Sequence, residues 1–456
     1  MEENRYREAK PQNIMGRWPV NRLLLSMSIP MMLSMMVQAL YNIVDSIFVA
    51  RIGEDALTAV TLAFPIQSVM IGIGVGTGVG INALLSKSLG ERDFDKVNKS
   101  ATNGLFLVWV SAAVFTAAGF FLSEWYFRVQ TDIETIILMG RDYLFMVTVF
   151  SFAIFNQITF ERLLSSTGKT FYAMISQLTG AIVNIILDPI MIFGLLGCPA
   201  MGVKGAAIAT VIGQTIAGLT ALYLNLTRNK EIALSFRGFK PDLWIIKTIY
   251  RVGVPSILMQ ISGSIMNYGI NRILLSFTPT AIAVFGVFFR LQSFLFMPVF
   301  GLNNAMVPII AFNYGAGDKS RITKTIKLSI SYAAIIMIIG FLLFQWIPDK
   351  LLLLFNASEE MLFIGIAALR IISLIFLFAG FCIVGLSVFQ AMGSGMESAV
   401  VAIARQLVVL LPVAWLLSLL GDVNVVWWAF PIAELISLVL CMIFLKRIYN
   451  QKIKNL

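Results

Sequence analysis

The sequence has no histidine among its 456 residues. That removes the commonest general base, the commonest metal ligand and the usual proton switch near neutral pH. Any proton or cation chemistry therefore falls to carboxylates, amides and hydroxyls. Only 13% of the residues are charged, about half the share of an average soluble domain, so one aqueous-facing globule is excluded. Cysteine is as scarce: Cys198, Cys382 and Cys441 stand apart without a CxxC, and no disulfide framework is implied. No nucleophile–base set, metal motif or large soluble domain stands out, which argues against a membrane enzyme or receptor and for a chain with no cofactor. The polar residues 1–19 carry no cleavable signal pattern, so the first apolar segment is expected to enter the membrane directly.

What the chain has in quantity is apolar length. It is 58% hydrophobic, with a mean hydropathy of +0.86. Stretches of about 20 residues or more, enough to cross a roughly 30 Å hydrocarbon layer, fall near 20–47, 57–85, 101–122, 136–160, 171–195, 203–226, 244–276, 281–311, 325–347, 361–389, 398–420 and 423–445. The expectation is an all-α polytopic membrane protein of about twelve transmembrane helices. The net charge of +10 reports topology and not nucleic-acid binding. Arg5, Arg7, Lys10, Arg17 and Arg22, the loop with Lys87, Arg92, Lys96 and Lys99, then Arg228, Lys230, Arg237 and Lys240, then Lys319, Arg321 and Lys324, and the tail Lys446, Arg447, Lys452 and Lys454 all fall on one side. By the positive-inside rule both termini are cytoplasmic, in a bacterial inner membrane.

A repeat runs through the chain. A shift of 225 residues carries Pro30 to Pro255, Asn42 to Asn267, Gln67 to Gln292, Gly90 to Gly315, Asp93 to Asp318 and Gly168 to Gly393. Six spans followed by six in the same orientation make a parallel repeat, expected as two pseudo-symmetric six-helix lobes around a central cleft. The expected organisation is a cytoplasmic arm 1–19, a first lobe 20–226, a linker 227–243, a second lobe 244–445 and a tail 446–456.

Ionisable groups at bilayer depth are costly and usually line a cavity or a pathway. Counting 1.5 Å per residue from the flanking charges puts Asp45, Asn184, Asp188 and Thr210 at similar depth in the outer half of the first lobe. Asn184 and Asp188, four apart, share a helix face. Two carboxylates, an amide and a hydroxyl suit a small cation or an exchangeable proton. The plain alternatives are that Asp188 before Pro189 marks a helix break and that Asp45 is solvated near Arg51. Pro30 shares a span with Asp45 and is a candidate bending element. Gln38, Asn42, Asn267, Asn271, Arg290 and Glu434 are candidate cleft residues, with a structural ion pair to an arginine as the other reading of Glu434. The glycine run IGIGVGTGVG at 71–80 has no following Lys-Ser/Thr and reads as a close-packing helix face.

These residues also carry a resemblance. VNIILDPIMIFG at 183–194 and GVKGAAIAT at 202–210 look like the fifth and sixth spans of multidrug and toxic compound extrusion transporters. IPMMLSMMVQALYNIVDSIFVARIG at 29–53 is similar to the family's first span, and SLGERD, YGAGD, LSSTGKT, FQAMGSG and WWAFPIAE resemble further positions. The likeness spans the whole chain and implies a V-shaped pair of lobes that exchange small organic substrates, cationic or amphipathic, for H⁺ or Na⁺. In the DinF and MepA type, the matching positions Asp45, Asn184, Asp188 and Thr210 form the coupling site, with Pro30 as the bend. The seventh span here has Asn267 and Asn271 but not the acid of the NorM type, which places coupling in the first lobe. The expected partners are substrates and membrane lipids, with the protein a monomer. A flippase for a lipid-linked saccharide is the alternative, kept open by Arg290, Arg370 and Arg405; related lipid II flippases have fourteen spans.

Overall fold

The computed structural model describes residues 13–355 and 357–456; Arg5, Arg7 and Lys10 of the arm lie outside them. The described residues are helical throughout, without strands. In chain order the long helices are α1 Val20–Ala50, α2 Glu54–Gly90, α3 Phe94–Arg128, α4 Glu134–Val149, α5 Phe152–Ser166, α6 Thr170–Phe193, α7 Gly202–Arg228, α8 Leu243–Leu275, α9 Pro279–Gly315 and α10 Lys319–Trp346. They are followed by α11 Glu359–Ala391, α12 Gly395–Ser418 and α13 Val423–Ile453. Ten of these are long and apolar enough to cross a membrane alone, and α4 with α5, bent by 45°, makes an eleventh. The twelfth is α8, 33 residues long, whose serines, asparagines and basic residues dilute its hydropathy. That gives the expected polytopic fold of about twelve spans.

The bend between α4 and α5 shows how a broken helix survives in lipid, where freed backbone groups need internal partners. Thr116 donates its hydroxyl to the Val149 carbonyl at 2.9 Å, and Ser151 donates to the Ala112 carbonyl at 3.1 Å. Both partners come from α3.

Two compact units emerge from the contacts. Among the described residues, one joins Leu33–Ile257 with residues 13–17; the other joins Trp18–Met32 with Leu258–Leu456. The division therefore does not fall in the 227–243 linker. It falls inside α1 and α8, two residues beyond Pro30 and Pro255. In both helices the proline removes a backbone donor from the turn just before the chain changes unit. The linker packs on the first unit: Phe236 stacks on Trp109 at 5.1 Å, Phe239 lies 5.6 Å from Phe106, and the Asn98 and Asn103 amide oxygens accept from the Ala233 and Asp242 backbone N–H groups.

The first unit's core gathers Val49, Ala63, Phe127, Leu144, Ile192 and Ala206 around α2, α4, α6 and α7, with a second cluster about Phe155. The glycine run packs closely, as its sequence implies. A Cβ on Gly80 would stand 2.2 Å from the Ile249 carbonyl oxygen, and one on Gly76 2.9 Å from that of Gly253, so α2 and α8 touch backbone to backbone there. In the second unit an aromatic cluster of Phe288, Phe296, Phe344, Phe376 and Phe430 fills the corresponding space.

The repeat holds down to dihedral angles. Asp93 caps α3 at φ −90°, ψ 83° and accepts from the Lys96 N–H; Asp318 caps α10 at φ −92°, ψ 85° and accepts from the Arg321 N–H. The residue before each cap is left-handed: Arg92 at φ 59° in one copy, Gly317 at φ 72° in the other. A side chain in that region costs about 1–2 kcal/mol that glycine escapes. Arg92→Gly should therefore raise the melting temperature in detergent, and Gly317→Arg should lower it, each by an effect on the order of 1 kcal/mol. A rise on Gly317→Arg would contradict the account.

Candidate functional site

The site is built where α6 and α7 approach most closely. Small residues allow that approach. A Cβ on Gly180 would stand 2.7 Å from that of Ala217 and 2.8 Å from the Gly213 carbonyl oxygen, and one on Gly213 3.0 Å from the Asn184 Cβ. A Cβ on Gly205 would press on the Met191 backbone at 2.4 Å. The two helices thus bring Asn184 and Thr210 face to face. Asp188 does not break its helix. α6 runs through Pro189 to Phe193 and stops at Gly194, left-handed at φ 75°, ψ 40°, whose N–H bonds the Ile190 carbonyl.

Asp188 is fully buried, and Asn184 and Thr210 are buried at 2% and 6% exposure. Asn184 Nδ2 donates to Asp188 Oδ1 at 3.3 Å and to Thr210 Oγ1 at 3.4 Å, both long for N–H···O bonds. Asp45, half-buried on α1, holds its carboxyl within hydrogen-bonding reach of the Asp188 carboxyl. The four residues expected to act together are therefore adjacent, all within the first unit.

The cluster is short of donors. Asp45 Oδ1, Asp188 Oδ2 and Asn184 Oδ1 are buried without a hydrogen-bond partner among the described residues. Ionised carboxylates only accept, and the Asn184 NH₂ already serves two bonds. Two facing carboxylates repel in a medium that cannot solvate them. A proton shared between them, or a small cation ligated by the orphaned oxygens, supplies what is missing. Among the described residues no group of three or more His, Cys, Asp or Glu side chains gathers as a metal site.

Two tyrosines that sequence reasoning did not select border the acids. Tyr41, one turn before Asp45, and Tyr143 on α4 lie close enough to feel the charge of both carboxyls. Tyr143 is buried and accepts from Gln67 Nε2 at 3.1 Å. The spacing of Tyr41 and Asp45 puts them on one helix face, a signal available in the sequence; Tyr143 needed the fold. The other candidates are dispersed. Gln38 accepts from Gln177 Nε2 at 3.2 Å, Asn42 and Arg290 are exposed, and Asn267 is half-buried. Asn271 has a buried carbonyl oxygen without a partner. Pro30 lies on the part of α1 that belongs to the second unit, away from Asp45. Glu434 is paired with Arg405 at 3.1 Å, the arginine pair its position suggested.

Comparison with known proteins agrees with this layout. The MatE family model matches twice, over residues 30–190 and 255–416, once per repeat and starting at Pro30 and Pro255. The chain is 26% identical over 434 residues to the multidrug export protein MepA of Staphylococcus haemolyticus, covering 94% of both chains. It is 26% identical over 430 residues to an FAD transporter of Shewanella oneidensis, covering 94% of this chain and 95% of that one. A multidrug resistance transporter of the MATE family, solved in an outward-facing conformation, superposes with a TM-score of 0.91 at 25% identity, covering 98% of this chain and 99% of that one.

Because the site depends on the glycine contact between α6 and α7, Gly213→Val should force the helices apart. The expected cost is about 1–3 kcal/mol, read as a lower melting temperature in detergent. Val211→Ala on the same helix, outside that contact, should leave it nearly unchanged. Equal melting of the wild-type and Gly213→Val proteins would refute the packing argument.

Proposed function

This chain belongs to the multidrug and toxic compound extrusion (MatE) family, whose members are transporters and not enzymes, and from that premise we propose that it exports organic compounds by antiport with H⁺ or Na⁺. The substrates of this reading are cationic or amphipathic, and the coupling ion enters at Asp45 and Asp188. The carrying observation is the surplus of buried acceptors there: three oxygens without a donor among the described residues, two of them on the facing carboxyls and the third on Asn184. The names of the relatives, a multidrug export protein and an FAD transporter, support export without fixing one substrate.

In the loaded state a proton or Na⁺ joins Asp45 to Asp188 and so draws the outer part of α1 toward α6. Unloaded, the two negative charges favour separation and attract a cationic substrate. The segment of α1 that carries Asp45 is linked through Pro30 to the part that belongs to the second unit. A turn without its full set of hydrogen bonds is where such a helix bends most cheaply. A ligand shifts such an equilibrium only by its differential affinity for the two states; here that difference is the neutralised charge pair. The basic loops support both termini on the cytoplasmic side of a bacterial inner membrane, with export driven by the inward gradient of the ion.

The flippase reading requires arginines free to receive a lipid phosphate. Arg405 is neutralised by Glu434, which leaves that alternative with less support.

The test is efflux of a cationic dye from proteoliposomes under separately imposed proton and sodium gradients. One gradient should drive export. Asp45→Asn and Asp188→Asn should lower driven efflux by a factor within the usual coupling range of about 5–150-fold. With a proton as the ion, acidification should weaken dye binding by the wild type, because protonation removes the attracting charge; the Asp188→Asn protein should lose that dependence. Driven export at the wild-type rate in both folded variants would sink the proposal.

A further inference from the structure

The second unit lacks the paired acids of the first, yet it contains a cavity of its own with polar side chains in a largely apolar wall. About 70 Å³ of space lies among α8, α9, α12 and α13, with Glu434, Arg405, Gln406 and Phe289 in its wall. Glu434 is 3% exposed. Its Oε2 accepts from Arg405 Nη1 at 3.1 Å, while its Oε1 is buried with no partner. Gln406 accepts from Ser262 Oγ through Oε1 at 2.5 Å, and its side chain also lines the cavity. The cavity therefore presents one buried acceptor without a hydrogen bond among the described residues, beside the Arg405 guanidinium and the Gln406 amide.

The backbone there is unusual as well. Arg405 and Gln406 sit on a π-helical stretch, Ala404–Leu410, just before Pro412. Without an N–H, Pro412 cannot bond the Val408 carbonyl, and its ring crowds that oxygen, so the turn widens. Such widened turns recur at functional sites. The 225-residue shift places Glu434 at the counterpart of Ala209, next to Thr210, and Arg405 at that of Gly180. Where the first unit packs small residues beside its acids, the second has set an ion pair and a cavity.

We propose that this cavity is a second binding pocket, which takes the amide-like edge of an aromatic molecule. An N–H of the ligand donates to Glu434 Oε1, and its neighbouring carbonyl accepts from Gln406 Nε2 or the Arg405 guanidinium. Space for about two waters, near 30 Å³ each, admits the polar edge and not a whole molecule. The ring lies against Phe289, which is 40% exposed, with Phe285 and Phe430 behind it. An ammonium lacks the acceptor and meets the charge of Arg405. A carboxylate lacks the donor and meets Glu434. A neutral amide satisfies both sides.

The experiment is a ligand-observed NMR titration of the full-length protein in lipid nanodiscs with benzamide, benzoate and benzylamine. Benzamide should bind, and the other two should bind about tenfold more weakly or worse. Glu434→Leu combined with Arg405→Met removes both charges at similar volume and should cost benzamide about tenfold. Gln406→Leu, which leaves the ion pair in place, should also weaken it, and so reports the pocket even if the double variant fails to fold. Asp188→Asn should bind benzamide as the wild type does, which separates this pocket from the coupling site. No benzamide binding by the wild type, equal binding of the three probes, or unchanged binding by the folded double variant and by Gln406→Leu would overturn the proposal; a bare structural ion pair gives the first or the last of these.

Discussion

Inside a hydrocarbon layer no water stands ready to solvate a carboxylate, and two facing acids are among the costlier arrangements a helix bundle can hold. Asp45 and Asp188 stand in that arrangement, with an asparagine whose donors are already committed. The rest of the first unit is arranged so that the pair persists. Glycines along α6 and α7 bring the asparagine and threonine to the acid, α6 runs intact through Pro189, and two tyrosines close the surroundings. On the coupling proposed above, a proton or cation at the acid pair ties occupancy of the site to the position of α1.

The second unit meets the same cost differently. Glu434 carries its own cation in Arg405, so no external ion is needed to neutralise it. One scaffold, duplicated to the level of its helix caps, thus holds an unpaired acid cluster in one copy and a self-paired one in the other. The duplication supplies the architecture, and the departures from it supply the chemistry. The divisions within α1 and α8, each just past a proline, repeat in both copies and belong to the scaffold.

Much of this was legible in the sequence because membrane solvation leaves few choices. Runs of apolar residues must span, and basic loops and cap residues recur at a fixed shift. The depth count placed Asp45, Asn184, Asp188 and Thr210 together because helical rise is constant and flanking charges fix the origin. Lateral relations were not legible. Tyr143 belongs to a different span from either acid, and only packing places it near both. The choice of Arg405 over Arg290 or Arg370 as the partner of Glu434 depends on which face of α12 turns toward α13. The division inside α1, and not in the linker, follows from contacts that no local composition signals: the linker's Phe236 and Phe239 pack on the first unit, while the continuous helix α1 is the one that changes unit.

Infrared difference spectroscopy of the purified protein, acidified without sodium and then titrated with sodium at alkaline pH, reads the protonation and ligation of these carboxyls directly. The account predicts that one of the two treatments changes the carboxyl bands, a protonated carbonyl stretch on acidification or a shifted carboxylate stretch on sodium addition, and that the change disappears in both Asp45→Asn and Asp188→Asn. Bands that change identically in the wild type and in both variants, or that respond to neither ion, would contradict it.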